Sequence, residues 1–405
     1  MKNSKIINDP VYGFLTIPTE LVYDLIQHPY FQRLRHIKQL GMTDYVYPGA
    51  THSRFHHALG ALQLMIKAVQ TLRSKGVTIS EKESEALYVG ILLHDIGHGP
   101  YSHTLEHALV SNVPHEFISL QMMLQLNREF KGRLDLAIDI FQNRYKKKFL
   151  SQLISGQLDM DRLDYLSRDS FFTGVTEGVV GSERIINMLN VKNDELVVEE
   201  KGIYSVEKFI IARRLMYWQV YLHKTVVATD ILLTNIVKRA SELGRSGRVP
   251  YASPALAWFL ANDVSKKDFE KNTTALKHFA ALDDTDVFSA IKVWQQSDDK
   301  ILKILATNLV ERKLPKTEVS GKQFEARMIA EKQRKIAVKY GITNAEAAYF
   351  VNQYPIKNDA YRDESTRISI LMKTGKVADV TEASDNYNLK ALKETVRKYY
   401  LSYYR

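Results

Sequence analysis

The stretch Gly90-Ile91-Leu92-Leu93-His94-Asp95-Ile96-Gly97-His98-Gly99-Pro100 constrains the fold more than any other. The apolar run from Tyr88 to Leu93 reads as a buried helix that ends in two ligand-type side chains, followed at once by Gly97, Gly99 and Pro100, which stop a helix. A buried helix thus delivers a polar end. Neighbouring helical residues point roughly 100° apart, so His94 and Asp95 converge on one ion only if it sits close against that end. An isolated His-Asp pair is most simply a capping aspartate beside a solvated histidine. The surroundings reverse that reading: eight of the 12 histidines, His52, His56, His57, His94, His98, His103, His107 and His115, lie between positions 52 and 115. Such enrichment points to metal ligation, proton transfer and phosphate contact, all of which imidazole performs.

The 405 residues include no cysteine, which excludes disulfides, zinc-thiolate sites and thiol nucleophiles. Any metal is then held by imidazole and carboxylate, a donor set open to iron, manganese, magnesium, zinc, cobalt or nickel. No apolar run approaches the ~18 residues of a membrane span, so a cytoplasmic enzyme without a membrane partner is expected. The formal net charge of +10 favours anionic ligands, either nucleotides or a nucleic-acid backbone bound weakly by charge.

Along the chain the apolar pattern is mainly helical. Val11 to Pro18 reads as a short extended or hairpin segment, and Thr19 to Leu40 as helix broken near Pro29, with Arg33, Arg35 and Lys38 off its apolar stripe. A Pro48-Gly49 turn leads through His52 to His57 into a long helix ending at Gly76. His103, Glu106 and His107 share a face if their segment is helical. Pro114-His115-Glu116 opens a helix with Phe117, Leu120, Met123 and Leu124 turned inward. Asp159, Asp161, Asp164 and Asp169 stand among Leu158, Met160, Leu163 and Leu166, and a buried carboxylate needs a metal or an arginine. Leu196 to Val206 alternates around Lys201-Gly202 as a β-hairpin, followed by a long helix from about Glu207 to Leu243. The remainder to Asn352 reads as helical, and Lys373 to Lys376 joins a second hairpin.

With these residues in view, the chain resembles the HD-domain metal phosphohydrolases, most closely the deoxynucleoside triphosphate triphosphohydrolases. The likeness is strongest over 31–169 and resumes over 213–224; no stretch resembles the sterile-alpha-motif domain of the human member. It implies a mainly α fold: an HD-domain helical core with small β-hairpins and a mostly helical C-terminal region. The expected parts are a catalytic core over 1–190, a hairpin and helical extension completing the pocket over 191–352, and a small α+β region over 353–405.

The same resemblance assigns metal binding to His57, His94, Asp95 and Asp161, with one ion held tightly and a second left open. His98, His103, Glu106, His115 and Glu116 fall at catalytic and phosphate-contacting positions, with His103 as the acid for the leaving 5′ oxygen and His115 and Glu106 as a supporting dyad. Glu106 replaces an aspartate of the closest relatives. Arg54, Arg162, Arg213 and Lys224 correspond to triphosphate ligands, and Gln39, Leu40, Tyr165, Asp169 and Tyr221 to residues around the sugar. The implied reaction is metal-hydroxide attack on the α-phosphorus of a dNTP, giving deoxynucleoside and triphosphate. Gln32 and Arg35 match parts of a regulatory nucleotide site in a homodimer or tetramer, but Gln27 replaces the aspartate that reads guanine there. Another nucleotide or phosphate ester as substrate is one alternative; a nucleic-acid-binding protein is another. The cyclic-di-nucleotide branch is disfavoured, because its paired Gly-Tyr-Pro motif is missing.

Overall fold

The helix Arg54–Ser74 packs against both Glu81–Leu93 and Met160–Thr173, and the three carry the polar residues of the site at their ends. The computed structural model describes residues 5–110, 113–271, 273–358, 367–386 and 395–404, without the side chains of His107, Lys271 and Asn358. Each helix starts where its sequence supplies a cap. Ser80 and Glu83 form a reciprocal capping box at the second, and the Asp159 side chain accepts the Arg162 amide at the third. The Ala86–Leu93 run is buried throughout, as an all-apolar helix requires.

The helices approach closely because position 60 is glycine. A Cβ there would lie 2.0 Å from both Arg168 Nη2 and Asp164 Oδ1. Those two side chains form a buried bidentate pair, with both hydrogen bonds at 3.0 Å. Gly60→Ala is therefore expected to break that pair or spread the helices, costing about 3–5 kcal/mol. An unchanged melting temperature would contradict this packing.

Several elements differ from the sequence expectation. The N-terminal hairpin pairs Ile6–Asp9 with Gly13–Thr16 and so begins before Val11. The helix expected through Leu40 stops after Glu20–Gln27, and the chain continues as Pro29–Gln32 and a tight turn at Arg33–His36. Arg33 is drawn inward instead, donating to the carbonyls of Ile96, His98 and Leu282, which fixes the loop after His94-Asp95. In His115–Glu129 the inward stripe is Ile118, Met122, Met123 and Leu126, while Leu124 is exposed.

The hairpin expected around Lys201-Gly202 turns earlier, pairing Leu189–Lys192 with Glu195–Glu199. Asn193 and Asp194 both take positive φ, which these residue types tolerate in a tight hairpin. Gly202 serves close packing, since a Cβ would meet Val198 Cγ1 at 2.5 Å. The long helix expected from Glu207 is interrupted: Ile203–Met216 passes into a wide π turn at Tyr217–Tyr221, and Lys224–Arg245 starts afresh beyond His223.

The C-terminal part adds strands to two separate sheets. The predicted hairpin forms as Ser369–Leu371 and Val377–Asp379, and Ser369–Leu371 lies parallel to Glu195–Glu199. Lys316–Ser320, expected as helix, pairs with Val396–Tyr403, which also pairs with Val351–Asn358. Tyr400 Oη from this sheet donates to the Leu222 carbonyl at 2.7 Å, supporting the break after the π turn. The fold is mainly α with small sheets, as expected. Among the described residues no helix is long and apolar enough to cross a membrane.

Candidate functional site

The expected metal ligands converge from the three packed helices. His57 lies in the first turn of Arg54–Ser74, His94 at the end of Glu81–Leu93 and Asp161 in the first turn of Met160–Thr173. Asp161 Oδ1 is 3.1 Å from His57 Nε2 and 3.5 Å from His94 Nε2. Asp95 closes the group, 3.6 Å from His57 Nε2 and 3.4 Å from His94 Nε2.

The backs of both imidazoles are already engaged. His57 Nδ1 is 2.7 Å from Asp164 Oδ2, itself held by Arg168, and His94 Nδ1 is 2.6 Å from the Ile91 carbonyl. These acceptors fix Nδ1 as the protonated nitrogen and turn each Nε2 lone pair toward the cluster. Both Nε2 atoms are buried without a hydrogen-bond partner, an arrangement suited to a divalent cation. The residues present fit such an ion.

Burial alone would lower the His57 pKa, but the facing Asp161 and Asp164 carboxylates outweigh it and hold the ring up to about 10. Below that pH a proton occupies His57 whenever no cation does, so cation uptake must displace it. Titrating the protein with Mn²⁺ near neutral pH should release about one proton, and affinity should weaken as pH falls. Uptake without proton release, compared in buffers of different ionisation enthalpy, would contradict this.

Beside the cluster lies a second group of imidazoles. His98 stacks on His115 with ring centroids 3.8 Å apart, and His103 packs edge-on against both. One carboxylate organises the outer two. Glu106 Oε1 faces His115 Nδ1 at 2.8 Å and accepts the His115 amide at 2.9 Å, while Oε2 faces His103 Nδ1 at 2.9 Å. Despite burial, which opposes charge, these contacts hold the Glu106 carboxyl far below its usual range. Glu116 is exposed and lies 3.5 Å from His115 Nε2. Burial and the Arg54 charge keep the His98 pKa well below its ordinary value, so its ring is neutral at neutral pH.

A strained turn delivers His103. Tyr101 and Ser102 both have positive φ, with the Tyr101 amide held by Asp284 Oδ1 at 2.6 Å. Ser102 Oγ accepts from Arg54 Nε at 2.9 Å, and the Arg54 guanidinium also pairs with Asp95.

A cavity of about 380 Å³ joins these groups. Arg54, Asp95, Asp161, His98, His103 and His115 line one part of it, and Gln39, Leu40, Tyr165, Asp169 and Tyr221 line another. His52 Nε2 and Tyr221 Oη each lie 2.7 Å from an oxygen of Asp169. Three expected cations do not line it. Arg162 pairs with Asp159, Arg213 bonds Gln157 Oε1 at 2.8 Å, and Lys224 is exposed at a helix start. Arg35 bonds Gln32 at 2.8 Å and covers the Phe55 ring, away from the cavity lining. Residues not assigned from sequence complete the walls: Gly41, Thr43, Tyr101, Ser102, Thr104, Tyr217, Val226 and Asp230. Tyr217 and Tyr221 reach it because the π turn separates them from regular helix.

Residues 54–169 match the HD domain model and 180–246 the HD associated region. The chain is 51% identical to a crystallised phosphohydrolase from Bacteroides thetaiotaomicron, over all of both chains, with a TM-score of 0.97. Uncharacterized protein YwfO of Bacillus subtilis is 33% identical over 78% of this chain and 72% of its own. The SAMHD1 deoxynucleoside triphosphate triphosphohydrolase homolog of Dictyostelium discoideum is 29% identical over 60% of this chain, which spans about half the length of that relative. The convergent His57, His94, Asp95 and Asp161 thus sit within the matched domain, and the chain belongs to the HD-domain phosphohydrolases.

Proposed function

We propose that the protein hydrolyses deoxynucleoside triphosphates to deoxynucleoside and inorganic triphosphate. The carrying observation is that a single cavity is lined by Asp95 and Asp161 of the ligand cluster, by the Glu106-linked His103 and His115, and by Gln39, Tyr165, Asp169 and Tyr221. A divalent ion on His57, His94, Asp95 and Asp161 would supply Lewis acidity and an activated water. Arg54 places its fixed charge beside Asp95, where it stabilises charge on a phosphoryl group.

His103 is the proton donor to the leaving 5′ oxygen. Its side chain is largely accessible, and Glu106 secures Nδ1 so that Nε2 is presented outward. The neutral His98 ring can contact phosphate without adding a buried charge. Around the sugar, Asp169 offers its remaining lone pairs to the 3′ hydroxyl, and the buried, unpartnered Gln39 Oε1 accepts from a sugar hydroxyl. Tyr165 and Tyr221, with ring centroids 6.3 Å apart, crowd a 2′ substituent and favour deoxyribose. The rest of the triphosphate extends past Tyr217 toward Arg162 and Arg213, beyond the cavity lining, and toward the exposed Lys224. Arg213 lies 5.9 Å from the Tyr217 ring.

The test is product chromatography for each dNTP and its ribonucleotide, singly and mixed, with Mn²⁺ or Mg²⁺. Deoxynucleoside and intact triphosphate support the reading; orthophosphate or pyrophosphate overturns it. Turnover confined to mixtures points to an activating nucleotide and to subunit contacts near Gln32 and Arg35.

A further inference from the structure

One end of the cavity bears no cation and no metal ligand. It is formed by Gly41, Thr43, Thr104, Val226 and Asp230. Val226 and Asp230 are one turn apart on Lys224–Arg245, so the same helix face contributes an apolar side chain and a carboxyl. Asp230 keeps a face accessible to the cavity but is set deep in the fold, and burial pushes its carboxyl up to about 7.

The partners of Asp230 are donors only. Thr104 Oγ1 donates to Oδ1 at 2.9 Å, and the Met42 amide also donates to the carboxyl. Among the described residues no lysine, arginine or histidine forms an ion pair with it, and the nearest charged influence is another carboxylate, Asp44. Gly41 leaves the approach open: at φ +51, a Cβ would stand 2.6 Å from Thr104 Oγ1 and 3.5 Å from Asp230 Oδ1.

A carboxyl without a counter-cation repels phosphate, so this end suits the uncharged part of a nucleotide. We infer that Asp230 reads the nucleobase, accepting a hydrogen bond from an exocyclic amino group and thereby favouring amino-bearing bases over those with a carbonyl at that position. The inference rests on the dNTP reading above and adds its base preference. Acceptance works in either protonation state, because a protonated carboxyl still offers a carbonyl oxygen. With the carboxyl ionised, a base carbonyl in the same place opposes lone pair to lone pair; the protonated carboxyl can donate to it, so the discrimination is fullest where the carboxyl is ionised.

The test compares dCTP with dUTP, which differ by amino against carbonyl at one ring position, at a pH well above 7, where the carboxyl is ionised. The wild-type enzyme should show kcat/KM about tenfold or more higher for dCTP, the loss expected when a site built for a donor is left unpaired. Asp230→Asn should lower or invert that ratio, since Thr104 can still donate to the amide oxygen while the new amide donor faces the cavity. Thr104→Val, which frees the carboxyl, should narrow it. Melting temperature and Mn²⁺ content establish that each variant is folded, and the wild-type ratio stands by itself if one is not. Equal kcat/KM for dCTP and dUTP in the wild type overturns the inference alone, as does an Asp230→Asn variant that slows both equally. A wild-type enzyme that hydrolyses no dNTP overturns the underlying reading and this inference together.

Discussion

Replacing Asp161 with alanine should lower kcat by about 10⁴-fold or more, a loss of roughly 5.5 kcal/mol in transition-state stabilisation. The size follows from position. Asp161 presents one oxygen, Oδ1, to both unpartnered imidazole nitrogens, at 3.1 and 3.5 Å, so its loss leaves His57 and His94 with Asp95 as the remaining carboxylate on their Nε2 side. Asp95 cannot compensate fully, because the Arg54 guanidinium already engages it. Bound Mn²⁺ should fall together with activity while the helices remain folded. An Asp161→Ala enzyme that keeps its metal and stays within tenfold of wild type would contradict the assignment of this cluster.

Glu106→Gln should cost about 10²–10⁴-fold in kcat, the range set by removing organised proton transfer. One carboxylate now meets three donors, the Nδ1 atoms of His103 and His115 and the His115 amide. Glutamine can keep its oxygen on His115 but must present an amide N–H to His103. That reverses the His103 tautomer and removes the negative charge that supports positive charge on the ring. Glu106→Asp, which keeps the negative charge on a shorter side chain, should retain more activity than Glu106→Gln. Mn²⁺ binding should survive in both, separating this role from metal ligation. Equal activity of the Gln and wild-type enzymes would remove Glu106 from the chemistry.

Of the cluster, His94 and Asp95 carried a local signal, whereas His57 and Asp161 were singled out among the clustered histidines and aspartates by the family resemblance. His94 and Asp95 end a wholly apolar helix, and the four aspartates among Leu158, Met160, Leu163 and Leu166 required partners that the structure supplies: Asp164 meets Arg168 and His57, and Asp169 meets His52 and Tyr221. Other features depend on contacts far apart in sequence. Nothing in the sequence of Tyr217 to Tyr221 breaks a helix, since it holds no glycine or proline, yet the π turn there brings two tyrosines into the cavity. Lys316–Ser320 is a strand through pairing with Val396–Tyr403, a partner that local periodicity cannot reveal. Asp230 looks like a solvated position on an amphipathic helix until Thr104 and Gly41 are seen against it. Charge was easier to read than direction: Arg162 and Arg213 are cations near the site, but Asp159 and Gln157 hold them outside the cavity lining.

The most direct measurement follows the oxygen of water. Hydrolysis of a dNTP in water enriched in heavy oxygen should place the label in the inorganic triphosphate, because attack at the α-phosphorus leaves the 5′ oxygen with the deoxynucleoside. Label in the deoxynucleoside would mean cleavage of the carbon–oxygen bond, and label in orthophosphate or pyrophosphate would mean attack farther along the chain. Either result would contradict the proposed reaction of this site.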